Sequence, residues 1–527
     1  MSKLWDKGIK MEMDRRKFLS TAVIAGGAAA LAGITGCTPS TQSAGADASE
    51  GQSNGQKASS KEMDVDIVVV GAGGAGLCAA LTASEGGATV ALLEAMPLTG
   101  GATLGSTATN VAGSQMQKEA GIEDSPDMIF ESYVNDIEDP NVVATAKMYS
   151  ENNGETYDWL ASDVGVQFSD DVQFFPPYPV ARIVYPIGGG IGTVKTLTEK
   201  VEESSVELML ETTASELIKE DGAVVGVAAK DARGTEYRIN AKAVILAAGG
   251  FAANRDMVPN DRVKNAIYYG AASSDGKGFS MALHGGTMLK DLGLVPLDAG
   301  GLETSPGFGT QLYSVVMLTY KQGSAILVGP DGNRIVNETA PNPVLVKAYE
   351  TLPDATAYLF MDKSSYDVFY NAGTRDVGGV FTSEEIEKWI AADGKDLPVV
   401  VTADTVEEVA SKVGVDGTGL KATIEAFNAD APSGVDTVYN RPIASAIGEG
   451  PYYIVKQNLR YAHSFGGLIA NENLEVLDWT ETPIKGLYAA GQMLRSIQGQ
   501  DSKPSTSTSF AYTSGRRAAL NILAAIQ

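Results

Sequence analysis

The strongest constraint on the fold of this chain is a glycine-rich turn between an apolar run and a helical stretch. The run DIVVV at 66–70 is short and β-branched, which is typical of a buried parallel strand. GAGGAG follows at 71–76 and fits the pattern G-x-G-x-x-G, and a helical stretch covers 77–85. A second strand at 89–93 ends at Glu94, whose carboxylate can accept from a ribose hydroxyl. Because such glycines let the backbone approach a pyrophosphate at a helix N-terminus, this order predicts a dinucleotide-binding fold.

Three later segments favour FAD over NAD as the dinucleotide. TGGAT lies at 99–103, just beyond the second strand, and AVILAAGGF at 243–251 is another strand that runs into a glycine pair. GLYAAGQ at 486–492 is a third segment of this kind. These segments resemble the flavoprotein family that contains the soluble fumarate reductases and the 3-ketosteroid dehydrogenases. Further ordered matches support the resemblance, which runs from about residue 65 to 518: YDWL at 157–160, GSAILV at 323–328, DGNRIVNE at 331–338 and HSFGGL at 463–468.

The resemblance implies an α/β fold, with a Rossmann-like FAD-binding domain and an inserted α+β clamp (capping) domain. The FAD-binding domain would cover 63–297 and 464–527, and the clamp would cover 298–463, with substrate bound between them. Some members of that family hold FAD covalently through a His just after the second strand; no His stands in that region here, so we expect noncovalent FAD. The candidate FAD-binding residues are Gly71, Ala72, Gly73, Gly74, Ala75, Gly76, Glu94, Ala95, Thr99, Gly100, Gly101, Ala102, Thr103, Ala214, Ala248, Gly249, Gly250, Asp275, Gly491, Gln492, Ser507 and Thr508.

The N-terminus predicts export and lipid anchoring. DRRKFL at 14–19 is a twin-arginine pattern, and a weakly apolar stretch at 21–36 leads to Cys37 in a lipobox-like ITGC, although a chance Cys is the alternative. We expect residues 1–36 to be a signal peptide, residues 37–62 a flexible linker, and Cys37 the lipid anchor. The protein would then lie on the extracytoplasmic face of the bacterial membrane after export in folded form. Translation could also begin at Met11 or at Met13 instead of Met1.

Composition narrows the function classes. The net charge is −25, and it becomes −28 when residues 1–36, with six positive and three negative charges, are removed. A body this acidic is unlike a nucleic-acid-binding protein. The chain has only two Cys and two His. We therefore expect no disulfide framework, c-type haem, iron–sulfur cluster or metal site. Electrons for a flavin would therefore come from a partner, either a cytochrome or a membrane flavoprotein.

Within the resemblance, the substrate-binding positions depart from both subfamilies. The fumarate reductases protonate a dicarboxylate with an Arg, and Asn342 stands at that position in this chain. The Glu and Arg of their proton relay, on the strand before Ala325, become Leu318 and Lys321, and only His463 is kept from the carboxylate-binding set. A fumarate dianion needs charge-assisted donors at both ends, so these changes predict a different substrate. The ketosteroid dehydrogenases have Tyr at the positions of Asn342 and Lys503.

Six residues are candidates for catalysis or substrate contact. Lys503 is the first candidate for donating a proton or polarising a carbonyl, with a solvated surface Lys as the alternative. Tyr313 and Tyr320, expected on a strand, could serve as acids or simply pack. The others are Arg182, which would line the substrate mouth, His463, which would orient substrate or act at a hinge, and Asn342.

Three functions are compatible with this pattern. The first is an extracytoplasmic FAD-dependent reductase of an activated C=C bond, an enone or enoate other than fumarate, acting as a terminal reductase in anaerobic respiration. The second is a ketosteroid-like FAD dehydrogenase. The third, suggested by the missing acid at Asn342, is a flavin electron-relay lipoprotein without turnover.

Overall fold

The first described strand begins inside the segment predicted to be a linker. The structure, a computed structural model, describes residues 59–135, 137–374 and 381–526, so the predicted signal peptide and Cys37 lie outside the described residues. Ser60, Lys61 and Glu62 pair with Glu236–Arg238 in the first sheet. The prediction of a linker reaching residue 62 was therefore wrong at its end, because the long partner strand offers backbone groups beyond the apolar run.

Nineteen strands lie in the described residues and are numbered in chain order: β1 (Ser60–Val70), β2 (Val90–Leu93), β3 (Thr109–Asn110), β4 (Ile183–Val184), β5 (Glu207–Met209), β6 (Thr212–Glu220), β7 (Ala223–Asp231), β8 (Glu236–Leu246), β9 (Ala266–Tyr268), β10 (Leu289–Lys290), β11 (Asp298–Ser305), β12 (Phe308–Gln311), β13 (Ile326–Val328), β14 (Thr356–Met361), β15 (Val400–Ala403), β16 (Tyr452–Tyr461), β17 (Gly467–Leu468), β18 (Glu475–Leu477) and β19 (Pro483–Ala489). Thirteen α-helices accompany them: α1 (Gly74–Glu85), α2 (Gln115–Glu119), α3 (Pro126–Val134), α4 (Pro140–Trp159), α5 (Gly189–Glu203), α6 (Lys277–His284), α7 (Tyr313–Gln322), α8 (Asn342–Glu350), α9 (Lys363–Gly373), α10 (Ser383–Ala392), α11 (Val406–Ser411), α12 (Gly417–Asp430) and α13 (Thr506–Ile526).

The first sheet is a parallel-centred sheet that carries the glycine-rich turn. Its strand order is β18-β19-β8-β1-β2-β5, and β6 and β7 extend it from the other end of β8. β1 runs parallel to β2 and to β8, and the apolar run at 67–69 is completely buried. Helices α1 and α13 pack against each other beside this sheet. Burial on both faces explains why the run reads as continuously apolar rather than alternating.

The second sheet is centred on β16. Its order is β11-β12-β9-β16-β14-β13, β15 also pairs with β16, and β11 returns to pair with β16. Most of its strands fall within the predicted clamp limits of 298–463, but β9 comes from residues before them. Those limits stay a prediction. The consequence for the site is that β16 leads directly toward His463 and back to the first sheet.

Three local features of the helices bear on the sequence predictions. Cys78 lies in α1 with no exposed surface, and burial raises the pKa of its thiol, as expected for a packed residue. His284 is the last residue of α6 and Gly285 caps it, which confirms a helix-end position. Among the described residues, none of the helices has the length and apolar character needed to cross a membrane.

Candidate active site

The turn between β1 and α1 leaves open space in front of the helix N-terminus. A Cβ at Gly71, where φ is +101°, would lie 2.6 Å from Ala247 O, and one at Gly76 would lie 1.8 Å from Gly71 O. These two glycines are therefore required by the packing of the chain on itself. A Cβ at Gly73 would meet nothing nearer than Gly100 O at 3.9 Å. The space beside Gly73 is where the backbone N–H groups at the start of α1 can receive a phosphate.

Glu94 closes the same turn from the end of β2. Its Oε2 accepts a hydrogen bond from Ala72 N at 2.8 Å, and its Oε1 accepts from Met96 N at 2.9 Å. Burial raises the pKa of Glu94 despite these hydrogen bonds. The adjoining loop is tied to the turn, since Gly100 N donates to Ala72 O at 2.8 Å and Gly74 N donates to Thr103 Oγ1 at 3.1 Å. Glu94 and the loop thus hold the backbone of the turn in the form that a dinucleotide needs.

The ends of β8 and β19 bring the cofactor region to His463. A Cβ at Gly250 would lie 2.7 Å from Ser464 Oγ and 3.3 Å from Gln492 Oε1. Gln492 Nε2 lies 2.9 Å from His463 Nδ1, in hydrogen-bonding contact. A Cβ at Gly250 could be placed only if the Ser464 hydroxyl moved. This close approach places the cofactor-side strands directly against the segment that leaves the second sheet.

The remaining FAD candidates lie at scattered points around this region, and their roles stay predictions. Ala214 pairs with Ala229 in the sheet, and Asp275 accepts from Lys277 N at 3.1 Å. Ser507 and Thr508 lie in the first turn of α13, where Ser507 Oγ accepts from Gln498 Nε2 at 2.9 Å. The residues present fit FAD: the turn at 71–76 would hold the pyrophosphate and Glu94 a ribose. Bound there, FAD would supply two-electron hydride chemistry.

A partly buried ion pair that sequence reasoning missed lies close enough to His463 to act on its pKa. Asp298 on β11 and Arg460 on β16 are directly paired across antiparallel strands, and Arg460 Nη1 lies 3.2 Å from Asp298 Oδ2. Arg460 is 5% exposed, its Nε donates to Ala299 O at 3.1 Å, and its guanidinium lies over the Tyr269 ring at 4.5 Å from the centroid. Neither residue belongs to a motif, so no local pattern in the sequence could have indicated the pair.

Asn342 holds Asp298 in place. Its Nδ2 donates to Asp298 Oδ1 at 3.0 Å and to Leu297 O at 3.2 Å, and its Oδ1 accepts from Ala299 N at 3.0 Å. The amide is therefore committed to the start of β11. The position predicted to have lost an acid has gained a residue that orients a carboxylate.

The ion pair and burial set the protonation of the nearby groups. Burial lowers the pKa of His463 below its usual value of 6.5, with Asp298 opposing and Arg460 adding to the shift. Burial also raises the pKa of Tyr313 and of Tyr269. At neutral pH this part of the site therefore contains a neutral imidazole, neutral phenols and one compensated charge pair.

Arg182 does not line a substrate mouth, contrary to prediction. It is completely buried, and its Nε and Nη2 donate to the two carboxylate oxygens of Asp124 at 2.8 and 2.7 Å. Its Nη1 donates to Ser132 Oγ at 3.0 Å. A guanidinium that is fully paired in this way has a structural role.

The two candidate tyrosines lie on helix α7 and not on a strand. Leu318 and Lys321 lie on the same helix, so the strand expected before Ala325 was also wrong. Tyr320 is 3% exposed and lies under the Arg441 guanidinium, at 5.4 Å from its ring centroid, which favours packing over acid chemistry. Tyr313 is half-buried in the first turn of α7. The charges of Asp298 and Arg460 both act on the pKa of its phenol. Of the two, only Tyr313 is therefore near the ion pair.

Lys503 lies on the loop that precedes α13. Its Nζ lies over the Tyr133 ring at 5.9 Å from the centroid, and its backbone N donates to Gln498 Oε1 at 2.7 Å. Tyr178 Oη donates to Pro504 O at 2.8 Å, which fixes the loop to a buried polar network. The structure thus gives Lys503 a defined position, while its role in proton transfer stays a prediction.

Comparisons with known proteins support FAD binding at the cofactor cradle, which is formed by the glycine turn at 71–76 and Glu94. The family model described as an FAD binding domain matches residues 66–508. The chain is 30% identical to a fumarate reductase (cytochrome) of Shewanella frigidimarina over 469 residues, which covers 88% of this chain and 77% of the relative. It is 32% identical to a urocanate reductase of Eggerthella lenta over 478 residues, which covers 88% of this chain and 75% of the relative.

A solved structure shows the same fold. The 3-ketosteroid Δ1-dehydrogenase of Sterolibacterium denitrificans, in complex with 1,4-androstadiene-3,17-dione, superposes with a TM-score of 0.74 at 20% identity. The match covers 88% of this chain and all of that chain. The α/β architecture predicted from the sequence is therefore confirmed.

Proposed function

This chain belongs to the FAD binding domain family, and we propose that it reduces an activated carbon–carbon double bond outside the cytoplasm. Its relatives show that it is an FAD-dependent oxidoreductase acting on CH–CH groups. The substrate would be an enone or a related acceptor other than fumarate. The enzyme would act as a terminal reductase of anaerobic respiration, anchored through Cys37 and supplied with electrons by a cytochrome or a membrane flavoprotein. The twin-arginine pattern and the low His and Cys counts support these last points.

The observation that carries the proposal is the contact between Gln492 and His463. It links the cofactor side of the site to His463, whose pKa responds to Asp298 and Arg460, and Asn342 holds Asp298, so a substrate held there would lie beside the cofactor. The turn at 71–76 and Glu94 would hold FAD, which would supply the hydride for one carbon of the double bond. Neutral His463 can orient or polarise the conjugated carbonyl, and Lys503 Nζ is the candidate that delivers a proton to the other carbon.

An anaerobic reoxidation screen tests this function. The holoenzyme is purified, its flavin is reduced, and enones, aromatic acrylates and fumarate are added in turn while flavin absorbance is followed. We expect neutral or singly charged acceptors to restore the oxidised spectrum and fumarate to be a poor acceptor. Turnover seen only with an oxidising dye and a saturated ketone would instead favour a dehydrogenase.

His463 gives a pH prediction for the same assay. Because burial lowers the pKa of His463 below its usual value of 6.5, the midpoint of its titration lies below the range from about pH 6.5 to 8. The rate of flavin reoxidation is therefore expected to show no His463-dependent step in this range. His463→Gln, which keeps a neutral hydrogen-bonding group, should give a profile of the same shape. A step in wild type that disappears in this variant would contradict a neutral His463.

A further inference from the structure

The burial of Arg460 and the partial exposure of Asp298 bear on the charge of the substrate that this pair would accept. Arg460 is nearly completely buried, and its Nη1 has no hydrogen-bond partner of good geometry although it lies 3.2 Å from Asp298 Oδ2. Buried donors are rarely left without an acceptor. The side chain of Asp298 is 24% exposed, so the pair reaches solvent from its carboxylate side. The Asp298 carboxylate is therefore the side of the pair that a bound substrate would meet, with the Arg460 guanidinium behind it.

The groups around this pair supply no further net charge. Asn342 contributes a neutral amide, and His463 is neutral because burial lowers its pKa. Tyr269 and Tyr313 are neutral phenols, since burial raises the pKa of each. Asp298 thus cancels the charge of Arg460 at this end of the site. A carboxylate placed here would gain from Arg460 but would meet Asp298 as a like charge.

We propose that Asp298 is the specificity-determining residue for substrate charge, and that it selects acceptors with an uncharged carbonyl or amide group over carboxylates. This inference rests on the proposed reductase function and narrows its substrate class. An uncharged carbonyl or amide group placed beside this pair meets no like-charge repulsion from Asp298. Specificity of this kind depends on the repulsive element as much as on the attractive one.

A pair of acceptors matched in shape but not in charge provides the test. Cinnamamide and cinnamate have nearly the same shape and differ by one negative charge at neutral pH. We would measure their dissociation constants from changes in the oxidised flavin spectrum, and their kcat/KM with a reducing dye. Wild type should favour cinnamamide, and Asp298→Asn should shift the amide-to-acid ratio toward cinnamate by about tenfold or more, because Arg460 is then uncompensated.

Asp291→Asn is the matched control. Asp291 pairs with Arg495 at 2.8 Å and is 52% exposed, so this variant loses the same charge outside the proposed pair. It should leave the ratio unchanged. The double variant Asp298→Asn with Arg460→Gln removes both charges and should return the ratio to that of wild type. FAD content and the thermal unfolding midpoint report whether each variant is folded.

The outcomes separate this inference from the function on which it rests. An Asp298→Asn ratio equal to that of Asp291→Asn would overturn the inference, as would a double variant that prefers cinnamate. If Asp298→Asn does not fold, Asp298→Ser, which removes the same charge, gives the ratio that is compared with that of Asp291→Asn. If both compounds bind but neither is reduced by wild type, the binding ratios still decide the inference while the reductase function is contradicted. Absence of binding by both compounds would count against the inference.

Discussion

Gly73→Val is expected to abolish FAD binding while leaving the protein folded. The backbone at Gly73 has φ −72° and ψ −177°, which any residue can adopt, and a Cβ there meets no protein atom within 3.4 Å. Packing of the chain therefore does not explain the glycine. Because a valine side chain would enter the space in front of α1, it would exclude the pyrophosphate. We expect the FAD content to fall below about one tenth of wild type, a loss above 1.4 kcal/mol of binding free energy.

The ratio of flavin to protein absorbance after gel filtration measures this effect, and circular dichroism reports the fold. Gly87→Ala is the control at the other end of α1, where a Cβ finds open space but φ is +86°. It should cost about 1 kcal/mol of stability through backbone strain and leave the FAD content unchanged. Full flavin content in Gly73→Val would show that the cofactor binds elsewhere.

Glu338→Gln is expected to destabilise the second sheet strongly. Glu338 is completely buried, and its carboxylate accepts from Arg334 Nε at 2.9 Å, Arg334 Nη2 at 2.6 Å and Leu327 N at 3.1 Å. Arg441 Nη1 is 3.0 Å from the same carboxylate, and Arg334 also pairs with Asp436 at 2.9 Å. Two cations and two anions balance in this cluster. Removing one anion leaves a buried positive charge, which costs about 3–5 kcal/mol.

Urea unfolding of the holoenzyme measures the free energy of unfolding for this variant. Glu407→Gln is the control, because Glu407 pairs with Lys421 at 3.1 Å with both side chains more than half exposed. An exposed pair of this kind contributes at most about 1 kcal/mol. A loss for Glu338→Gln no larger than that of the control would mean that the buried cluster contributes little to stability.

The FAD region was predictable because its signals are local. A buried strand, a glycine turn and a following helix are consecutive along the chain, and the glycine at 76 is required by a contact within that unit, whereas Gly71 is required by Ala247 at the end of β8. Helix α1 begins at Gly74, a few positions earlier than its apolar residues indicated. The match to Asn337-Glu338 in the family pattern also has a physical basis, since Glu338 anchors the buried ion cluster.

The residues expected to contact substrate were less predictable, because an apolar stretch alone does not specify whether it forms a helix or a strand. The stretch containing Tyr313 and Tyr320 is apolar and short, so periodicity alone did not distinguish strand from helix, and tertiary packing made it α7. Arg182 was expected to face a substrate because it precedes a glycine loop. Its partner Asp124 lies far away in sequence, and only the fold brings the two together.

What the sequence by itself determined is the cofactor and its cradle, because the strand, turn, helix and acid that form it are neighbours along the chain. What only the tertiary structure decided is the environment of His463. Asp298 and Arg460 meet because β11 and β16 pair antiparallel with a register shift between Asp298 and Gly301, and Asn342 reaches Asp298 from the start of α8. A register between distant strands depends on the packing of whole sheets, so no short pattern in the sequence contains it.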